Sequence, residues 1–148
     1  MIDIVRAVLD EKTIEELISL SLEWEKEDIT FGYRKNSKED LSEPCFLAQD
    51  NGKTVGYIFG HYYDNEKRIA NIAIGDKCFE VDELYVIKEY RNKGIGKILF
   101  DTLEEEVKDS VSYITLPTAT KDYLRILHFY HDEVGMTFHS AFLFKKTK

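Results

Sequence analysis

The sequence has few cysteines and no long apolar run. Only Cys45 and Cys78 occur among its 148 residues, which is too few for a disulfide scaffold and lacks the C-x-x-C spacing of zinc or redox sites. No apolar stretch reaches the roughly 18 residues that a membrane-spanning helix needs. The first residues contain no apolar core of a signal peptide. We therefore expect two buried thiols, a cytoplasmic protein and no membrane partner.

Positive charge is also scarce. The chain carries 20 Lys and Arg residues against 28 Asp and Glu residues, a formal charge of -8. Proteins that bind the phosphate backbone of nucleic acids rely on clustered Lys and Arg side chains, so no nucleic-acid partner is expected. An acidic balance suits a cationic substrate.

The sequence does contain enough apolar residues for a core. Apolar side chains make up 43% of the chain and aromatic side chains 13%. A chain of this length commonly forms one domain without disulfides or metals to stabilise it. We predict a single domain over residues 1–148.

The first half of the chain predicts strands around one helix. A capping-box pattern at Thr13 indicates a helix that runs to about Lys26, and Ser37 is placed to begin a short second helix. Asn51 and Gly52 between two apolar runs predict a hairpin. Segment 31–38 is a candidate lid or acceptor wall. The predicted strands of this half lie at residues 2–8, 45–49 and 54–63, with a short extension at 69–74.

The second half alternates strands with helices. Gly135 is placed to end the second of the two helices. The predicted elements are a strand at 78–87, an amphipathic helix at 94–108, a strand at 111–116, a helix at 121–131 and a closing strand at 136–144. Antiparallel strands followed by strand-helix-strand-helix-strand predict an α/β fold whose mixed, mostly antiparallel sheet has helices on its faces.

A glycine-containing turn between strand 78–87 and the following helix predicts an anion site. Gly94 and Gly96 allow close approach of a phosphate, and the first amides of a helix have no intrahelical acceptor. Arg91, Lys93 and Lys97 add positive charge. The turn is not a dinucleotide fingerprint, since Leu99 stands where a third small residue belongs, and it lacks the Gly-Lys-Ser/Thr of a P-loop.

Residues 81–86 together with 89–97 resemble the central motif of the GNAT N-acetyltransferases. The resemblance implies a GNAT-type domain over nearly the whole chain, with a sheet splayed between strands 78–87 and 111–116 and acetyl-coenzyme A in the resulting cleft. It implies that the pantetheine arm pairs with the backbone of strand 78–87. The cofactor-binding residues implied are Leu84, Tyr85, Val86, Arg91, Asn92, Lys93, Gly94, Ile95, Gly96 and Lys97.

Acetyl transfer to an amine requires a base and benefits from an acid. An ammonium group with a pKa of about 10.4 must lose a proton before it attacks, and a thiolate leaves more easily once protonated. The resemblance favours Glu80, followed closely by Glu83, as the base and Tyr130 as the acid. Strand alternation places Glu80 and Asp82 on one face and Glu83 on the other.

Several alternatives stay open. A second family signature fits Phe129, Tyr130 and Gly135, but Tyr123 and Ile126 replace its Asn and Ala. A coenzyme A sensor without catalysis therefore competes with the enzyme, and a peptide or protein amine competes with a polyamine- or aminoglycoside-like acceptor. A homodimer is a further option.

The remaining side chains that could bind a metal or a substrate are assigned structural roles. The four histidines show no metal-ligand spacing, so no metal is expected. Four aromatic residues could line an acceptor pocket, but aromatic side chains are more often part of the core. These are Trp24, Phe31, Tyr33 and Tyr62.

Overall fold

Five strands form one sheet in which the spatial order follows the chain. The structure is a computed structural model that describes all 148 residues. Three strand pairs are antiparallel and the last pair is parallel, as predicted for a mixed sheet. The strands are β1 (Ile2–Arg6), β2 (Cys45–Asp50), β3 (Lys53–Asp64), β4 (Lys77–Val86) and β5 (Tyr113–Thr115).

Helix α1 (Glu11–Glu27) begins one residue after Asp10, whose carboxylate accepts a hydrogen bond of 2.9 Å from the Thr13 amide. Asp10 is therefore the N-cap, and the prediction of a cap at Thr13 was wrong by three residues because the Asp side chain satisfies the same free amides. The predicted end near Lys26 is confirmed. The short helix after Ser37 is present as a single 3₁₀ turn with a capping box.

Helices α1 and α2 (Ile95–Val107) cover opposite faces of the sheet. A side chain at Gly56 would meet Val86 at 3.2 Å and Leu99 of α2 at 3.4 Å, so these groups share one face. The neighbouring strand positions point the other way, and there Tyr85 stacks on Trp24 of α1 with ring centroids 5.2 Å apart. The helices on both faces are thereby confirmed.

The hairpin between β2 and β3 turns where the sequence predicts it. Asn51 and Gly52 have φ values of 49° and 86°, the left-handed conformations that such two-residue turns require. Both cysteines are fully buried and unpaired, and burial raises the pKa of the Cys45 thiol to about 12. They are small core hydrophobes, as expected.

Strands β4 and β5 separate early. Their parallel pairing covers only residues Cys78 to Glu80 of β4, while β4 continues to Val86. Pro117 follows soon after β5 and has no amide to donate to a ladder. The predicted splay is present, and the outer edge of β4 beyond Glu80 is open.

A β-bulge in β4 changes which way its carboxylates face. Phe59 pairs with Glu83 and Gly60 with Val81, so Asp82 is an extra residue on β4. Asp82 contacts His61 and Glu83 contacts Tyr57, and both partners lie on the odd-numbered face of β3. Alternation predicted that Glu83 lies on the opposite face from Glu80 and Asp82. That prediction was wrong, because the bulge interrupts the period of two.

The last third of the chain departs most from expectation. Helix α3 (Tyr123–Leu127) continues as a wider π-type turn over His128–Glu133, which Gly135 follows with a φ of 89°. The extension predicted at 69–74 is only a bridge between Ile69 and Ile72. No helix has the length and apolarity to cross a membrane.

The closing strand predicted at 136–144 was wrong. Residues 137–148 belong to no strand or helix, and Phe144 instead contacts the Phe31 ring edge-on at 5.9 Å. An alternating pattern indicates which face a strand would bury, but it supplies no neighbouring strand with which to pair.

Gly60 allows the bulge to form, and replacing it should weaken the sheet. A Cβ at Gly60 would lie 1.9 Å from the Glu80 carbonyl oxygen, so Gly60→Ala should lower the free energy of unfolding by about 3 kcal/mol, the upper part of the usual overpacking range. Gly52→Ala is the matched control, because that position has no atom within 4 Å and should cost only about 1 kcal/mol for its backbone conformation. Urea unfolding measures both. Equal losses in the two variants would show that Gly60 is not required by close approach.

Candidate active site

A cavity of about 1090 Å³ lies where β4 leaves β5. Its walls are the open edge of β4, the turn before α2, the segment after β5, and α3 with the π-type turn. Nine of the ten residues predicted to bind the cofactor line this cavity, Lys93 being the exception. The nine are Leu84, Tyr85, Val86, Arg91, Asn92, Gly94, Ile95, Gly96 and Lys97.

The turn before α2 presents backbone amides to this cavity. Gly94 is the N-cap with a φ of 80°, and the first helical hydrogen bond to its carbonyl comes from Ile98. The amides of residues 95–97 thus have no partner within the helix. No atom lies within 4 Å of a Cβ built on Gly94, whereas one on Gly96 would meet the Phe129 ring at 3.3 Å. The absence of a side chain at Gly94 leaves the backbone amides accessible to an anion, and Gly96 allows α2 to pack against Phe129.

Arg91 is held by the protein. Its guanidinium donates to Glu27 at 2.6 Å and to the Val86 carbonyl at 2.8 Å, and it lies 5.4 Å from the Tyr85 ring centre. Burial raises the pKa of the Glu27 carboxyl, but the hydrogen bonds from Arg91 and Tyr85 outweigh burial and lower this pKa below its usual value. The charge of Arg91 is therefore balanced by Glu27, and the amides of the turn are the freer anion donors.

Glu83 accepts more side-chain hydrogen bonds than any other carboxylate in the cavity wall. One oxygen, Oε1, accepts from the Tyr57 hydroxyl at 2.6 Å, the Asn36 amide group at 2.9 Å and the Tyr33 hydroxyl at 3.0 Å. Burial raises the pKa of the Glu83 carboxyl, and these three donors act in the opposite direction. Glu83 is thus a half-buried carboxylate that is fixed in position and has an elevated proton affinity, which suits a general base.

Glu80 occupies a different environment. It does not line the cavity; it lies beside His61 and Asp82, with ligand atoms of the three residues within 4.8 Å of one another. The His61 ring contacts both Asp82 oxygens at 2.9 and 3.0 Å, and His61 is nearly half exposed. Only Asp82 of this cluster reaches the cavity wall.

Tyr130 lines the cavity from the π-type turn. Its ring makes edge contacts with Phe129 at 5.0 Å and Phe100 at 6.4 Å. Burial raises the pKa of the Tyr130 hydroxyl, so this hydroxyl keeps its proton at neutral pH and can donate it. Of the three predicted catalytic residues, Glu83 and Tyr130 face one cavity and Glu80 does not.

An aromatic stack forms part of the wall. Trp24 lies between Tyr33 and Tyr85, with ring centroids at 4.0 and 5.2 Å, and all three residues line the cavity. Phe31 and Tyr62 lie outside it and are about half exposed. Two of the four candidate aromatic residues therefore belong to the site.

Sequence reasoning missed Glu27, Asn36 and Tyr57. They belong to α1, the loop after it and β3, and no motif connects them. Glu27 ends a helix containing several other acidic residues, and Tyr57 is fully buried in β3. The sequence indicated part of this group only through segment 31–38, which was predicted to be an acceptor wall. Tyr33 and Asn36 both lie in that segment.

The chain belongs to the Acetyltransferase (GNAT) family. The family profile matches residues 11–136, which include α1, the sheet from β2 to β5 and the π-type turn. Comparison with curated proteins finds no match. The motif resemblance at residues 81–97 is thus confirmed at the level of the family.

Solved structures share the fold at low sequence identity. A ribosomal-protein-alanine N-acetyltransferase from Brucella melitensis biovar Abortus 2308 is 20% identical with a TM-score of 0.64, covering 98% of this chain and 99% of that one. A predicted acetyltransferase with acetyl-CoA from Clostridium acetobutylicum is 17% identical with a TM-score of 0.67, covering 99% and 96%.

A third similar structure is AAC(6')-Iy in complex with the bisubstrate analog CoA-S-monomethyl-acetylneamine. It is 13% identical with a TM-score of 0.67, covering 100% of this chain and 99% of that one. At these identities the likeness shows the GNAT fold, and the activity of this chain has to be argued from its own residues.

Proposed function

We propose that this protein transfers the acetyl group of acetyl-coenzyme A to a primary amine on a cationic small molecule. One observation carries the proposal: a single cavity is lined by a helix N-terminus with free amides, a half-buried carboxylate at Glu83 and a protonated hydroxyl at Tyr130. The two solved relatives bound to coenzyme A derivatives lend support. The free, buried cysteines suit a reducing compartment such as the cytoplasm.

The residues present fit coenzyme A. The free amides of residues 95–97 suit its pyrophosphate, and the open edge of β4 at Leu84 to Val86 can pair with an amide-containing arm. When bound, acetyl-coenzyme A supplies a thioester carbonyl that an amine can attack. The sequence expectation for these positions therefore stands as part of the proposal.

Glu83 and Tyr130 supply the two proton transfers. The Glu83 carboxylate accepts a proton from the ammonium group of the acceptor, which frees the nitrogen lone pair. As the nitrogen-carbon bond forms and the carbon-sulfur bond breaks, the Tyr130 hydroxyl donates its proton to the departing sulfur. The nitrogen loses its second proton as the amide forms, which restores the Tyr130 hydroxyl, and Glu83 releases its proton to solvent, so one proton is released in each cycle.

Charge favours a cationic acceptor. The chain carries a formal charge of -8, and Asp82 and Glu83 lie in the cavity wall. Rings such as those of Trp24 and Tyr33 also attract cations. AAC(6')-Iy is named an aminoglycoside N-acetyltransferase, which agrees with this class. The Brucella relative is named for a protein acceptor, so a peptide amine is the alternative substrate.

A sensor without catalysis is the alternative from another class. Tyr123, which replaces the Asn of the family signature, is 59% exposed and lies outside the cavity, whereas Ile126 lines it. Release of free thiol from acetyl-coenzyme A in the presence of polyamines, aminoglycosides, amino acids or short peptides separates the enzyme from the sensor and identifies the acceptor class.

Acetyl-coenzyme A should stabilise the folded protein. At a hundredfold excess over its dissociation constant, the gain is about 2.7 kcal/mol, which a thermal melt detects. Gly94→Val should remove this gain, because the added side chain would occupy the approach to the amides. Nothing lies within 4 Å of that position, so the variant should fold at the cost of the backbone strain that a branched residue has at positive φ. Gly32→Val, at an equally open site with positive φ, is the control and should keep the gain. A melt unaffected by acetyl-coenzyme A would contradict the proposal.

Glu83→Gln should abolish most activity. Gln keeps the shape but cannot accept the proton, so turnover should fall by roughly 10²–10⁴ with coenzyme binding intact. Glu80→Gln serves as the matched control on the same strand and should stay close to wild type. Tyr130→Phe should lower turnover by a similar factor at every pH, because the raised pKa of the Tyr130 hydroxyl keeps it protonated through the accessible alkaline range. If Glu83→Gln is fully active and Glu80→Gln is not, the base is Glu80.

We also propose that the protein forms a homodimer through its C-terminal segment. Phe142, Leu143 and Phe144 are 90%, 83% and 74% exposed, an unusual run for a monomer, and the outer edge of β5 has no paired strand. A Phe142→Glu/Phe144→Glu double variant should be monomeric by light scattering at concentrations where the wild type and Lys146→Glu are dimers. A monomeric wild type at every concentration would refute the homodimer.

A further inference from the structure

We propose that Ser21 and Asn36 are positioning residues for Glu83: together with Tyr33 they form a closed hydrogen-bond ring that saturates Oε1 and leaves Oε2 to accept the substrate proton. The inference rests on the proposed role of Glu83 as the base. Neither residue belongs to the motif.

Ser21 is the unexpected member of this ring. It lies in the middle of α1 and is completely buried, among positions where the helix otherwise presents Leu17 and Leu20 to the core. Burying an unbonded hydroxyl is costly, yet the Ser21 oxygen contacts the Tyr33 hydroxyl at 2.6 Å and the Asn36 backbone amide at 2.8 Å. A hydroxyl at this position therefore has two partners, both in the loop that follows α1.

The direction of every hydrogen bond in the ring is determined by its ends. The Asn36 amide can only donate, so the Ser21 oxygen accepts from it. The ionised Glu83 carboxylate can only accept, so Tyr33 donates to it at 3.0 Å. Tyr33 has a single hydrogen, and the Ser21 hydroxyl must therefore donate to Tyr33. The hydrogens all point from Asn36 through Ser21 and Tyr33 to Glu83.

Asn36 closes the ring because it acts at both ends. Its backbone amide begins the chain at Ser21, and its side-chain amide donates directly to Oε1 of Glu83 at 2.9 Å. It is 6% exposed. With Tyr57 donating to the same oxygen at 2.6 Å, Oε1 has three donors and no capacity for another proton. The proton of an acceptor amine must then go to Oε2.

The ring also moderates the proton affinity of Glu83. Burial raises the pKa of this carboxyl, the negative charge of Asp40 raises it further, and Tyr57, Asn36 and Tyr33 lower it. These are the groups facing Glu83 from the loop after α1, the 3₁₀ turn and β3. Removing a donor should raise the Glu83 pKa, so the base would be protonated and inactive up to a higher pH.

The test is a pH titration of the Glu83 carboxyl by NMR on protein labelled with ¹³C at the Glu δ carbon, using Glu83→Gln to assign the signal. Ser21→Ala and Asn36→Asp should each raise the Glu83 pKa, the first by weakening the Tyr33 donor and the second by adding a like charge. Ser19→Ala, on the exposed side of the same helix, should leave it unchanged. Because Ser21 acts largely through Tyr33, the shift in Ser21→Ala/Tyr33→Phe should be smaller than the sum of the single shifts.

Activity provides the second readout. In acetyl transfer to the best acceptor of the thiol-release screen, the acid limb of kcat/KM should move to higher pH in Ser21→Ala and recover at alkaline pH, while Ser21→Thr, which keeps the hydroxyl, should restore the wild-type limb. Should Ser21→Ala fail to fold, Tyr33→Phe tests the same donor.

An unchanged Glu83 pKa in Ser21→Ala and Tyr33→Phe overturns the inference, as does a lower plateau rate without a shift of the acid limb. If the Glu83 pKa shifts as expected but Glu83→Gln is fully active, the hydrogen-bond ring is supported and the role of Glu83 as the base is refuted. The failure of the proposed function would then be distinguishable from failure of the ring.

Discussion

The cavity exists because β4 and β5 pair for only three residues. Beyond Glu80 the backbone of β4 bonds to β3 on one side and has no strand on the other. A parallel neighbour along the whole of β4 would fill this edge. The short ladder therefore leaves an unpaired strand edge, which lines one cavity together with the N-terminus of α2.

The position of Glu83 along β4 decides that it faces that cavity. Glu83 pairs with Phe59, two residues from the Tyr57–Tyr85 pair, so it shares the face of Tyr57 and accepts hydrogen bonds from Tyr57 and Tyr33. Partial burial raises the pKa of the Glu83 carboxyl, and the surrounding donors limit the rise. Glu80 remains beside exposed His61 with no access to the cavity. The bulge places Glu80 on the same face of β4 as Glu83, opposite His61, so the position along the strand and not the face separates the two acidic residues.

The sequence predicted well what depends on local pattern. The hairpin at Asn51 and Gly52, helix α2 and the turn before it follow from periodicity and glycine placement within a few residues. Partners from distant segments were not predictable: Tyr33, Asn36 and Tyr57 reach Glu83 across 50, 47 and 26 residues. The closing strand failed for the same reason, since pairing depends on a neighbour that an alternating pattern does not specify. The prediction that Glu80 and Glu83 lie on opposite faces failed because nothing in the composition of β4 indicates the bulge between them.

The central claim is that one cavity brings the cofactor, Glu83 and Tyr130 together, and a crystal structure with bound coenzyme A tests it most directly. The account predicts pyrophosphate oxygens within hydrogen-bonding distance of the amides of residues 95–97, the pantetheine arm along the open edge of β4, and the sulfur near the Tyr130 hydroxyl on the side of the cavity that Glu83 faces. Coenzyme A bound elsewhere, or with its sulfur directed toward Glu80 and His61, would contradict the account.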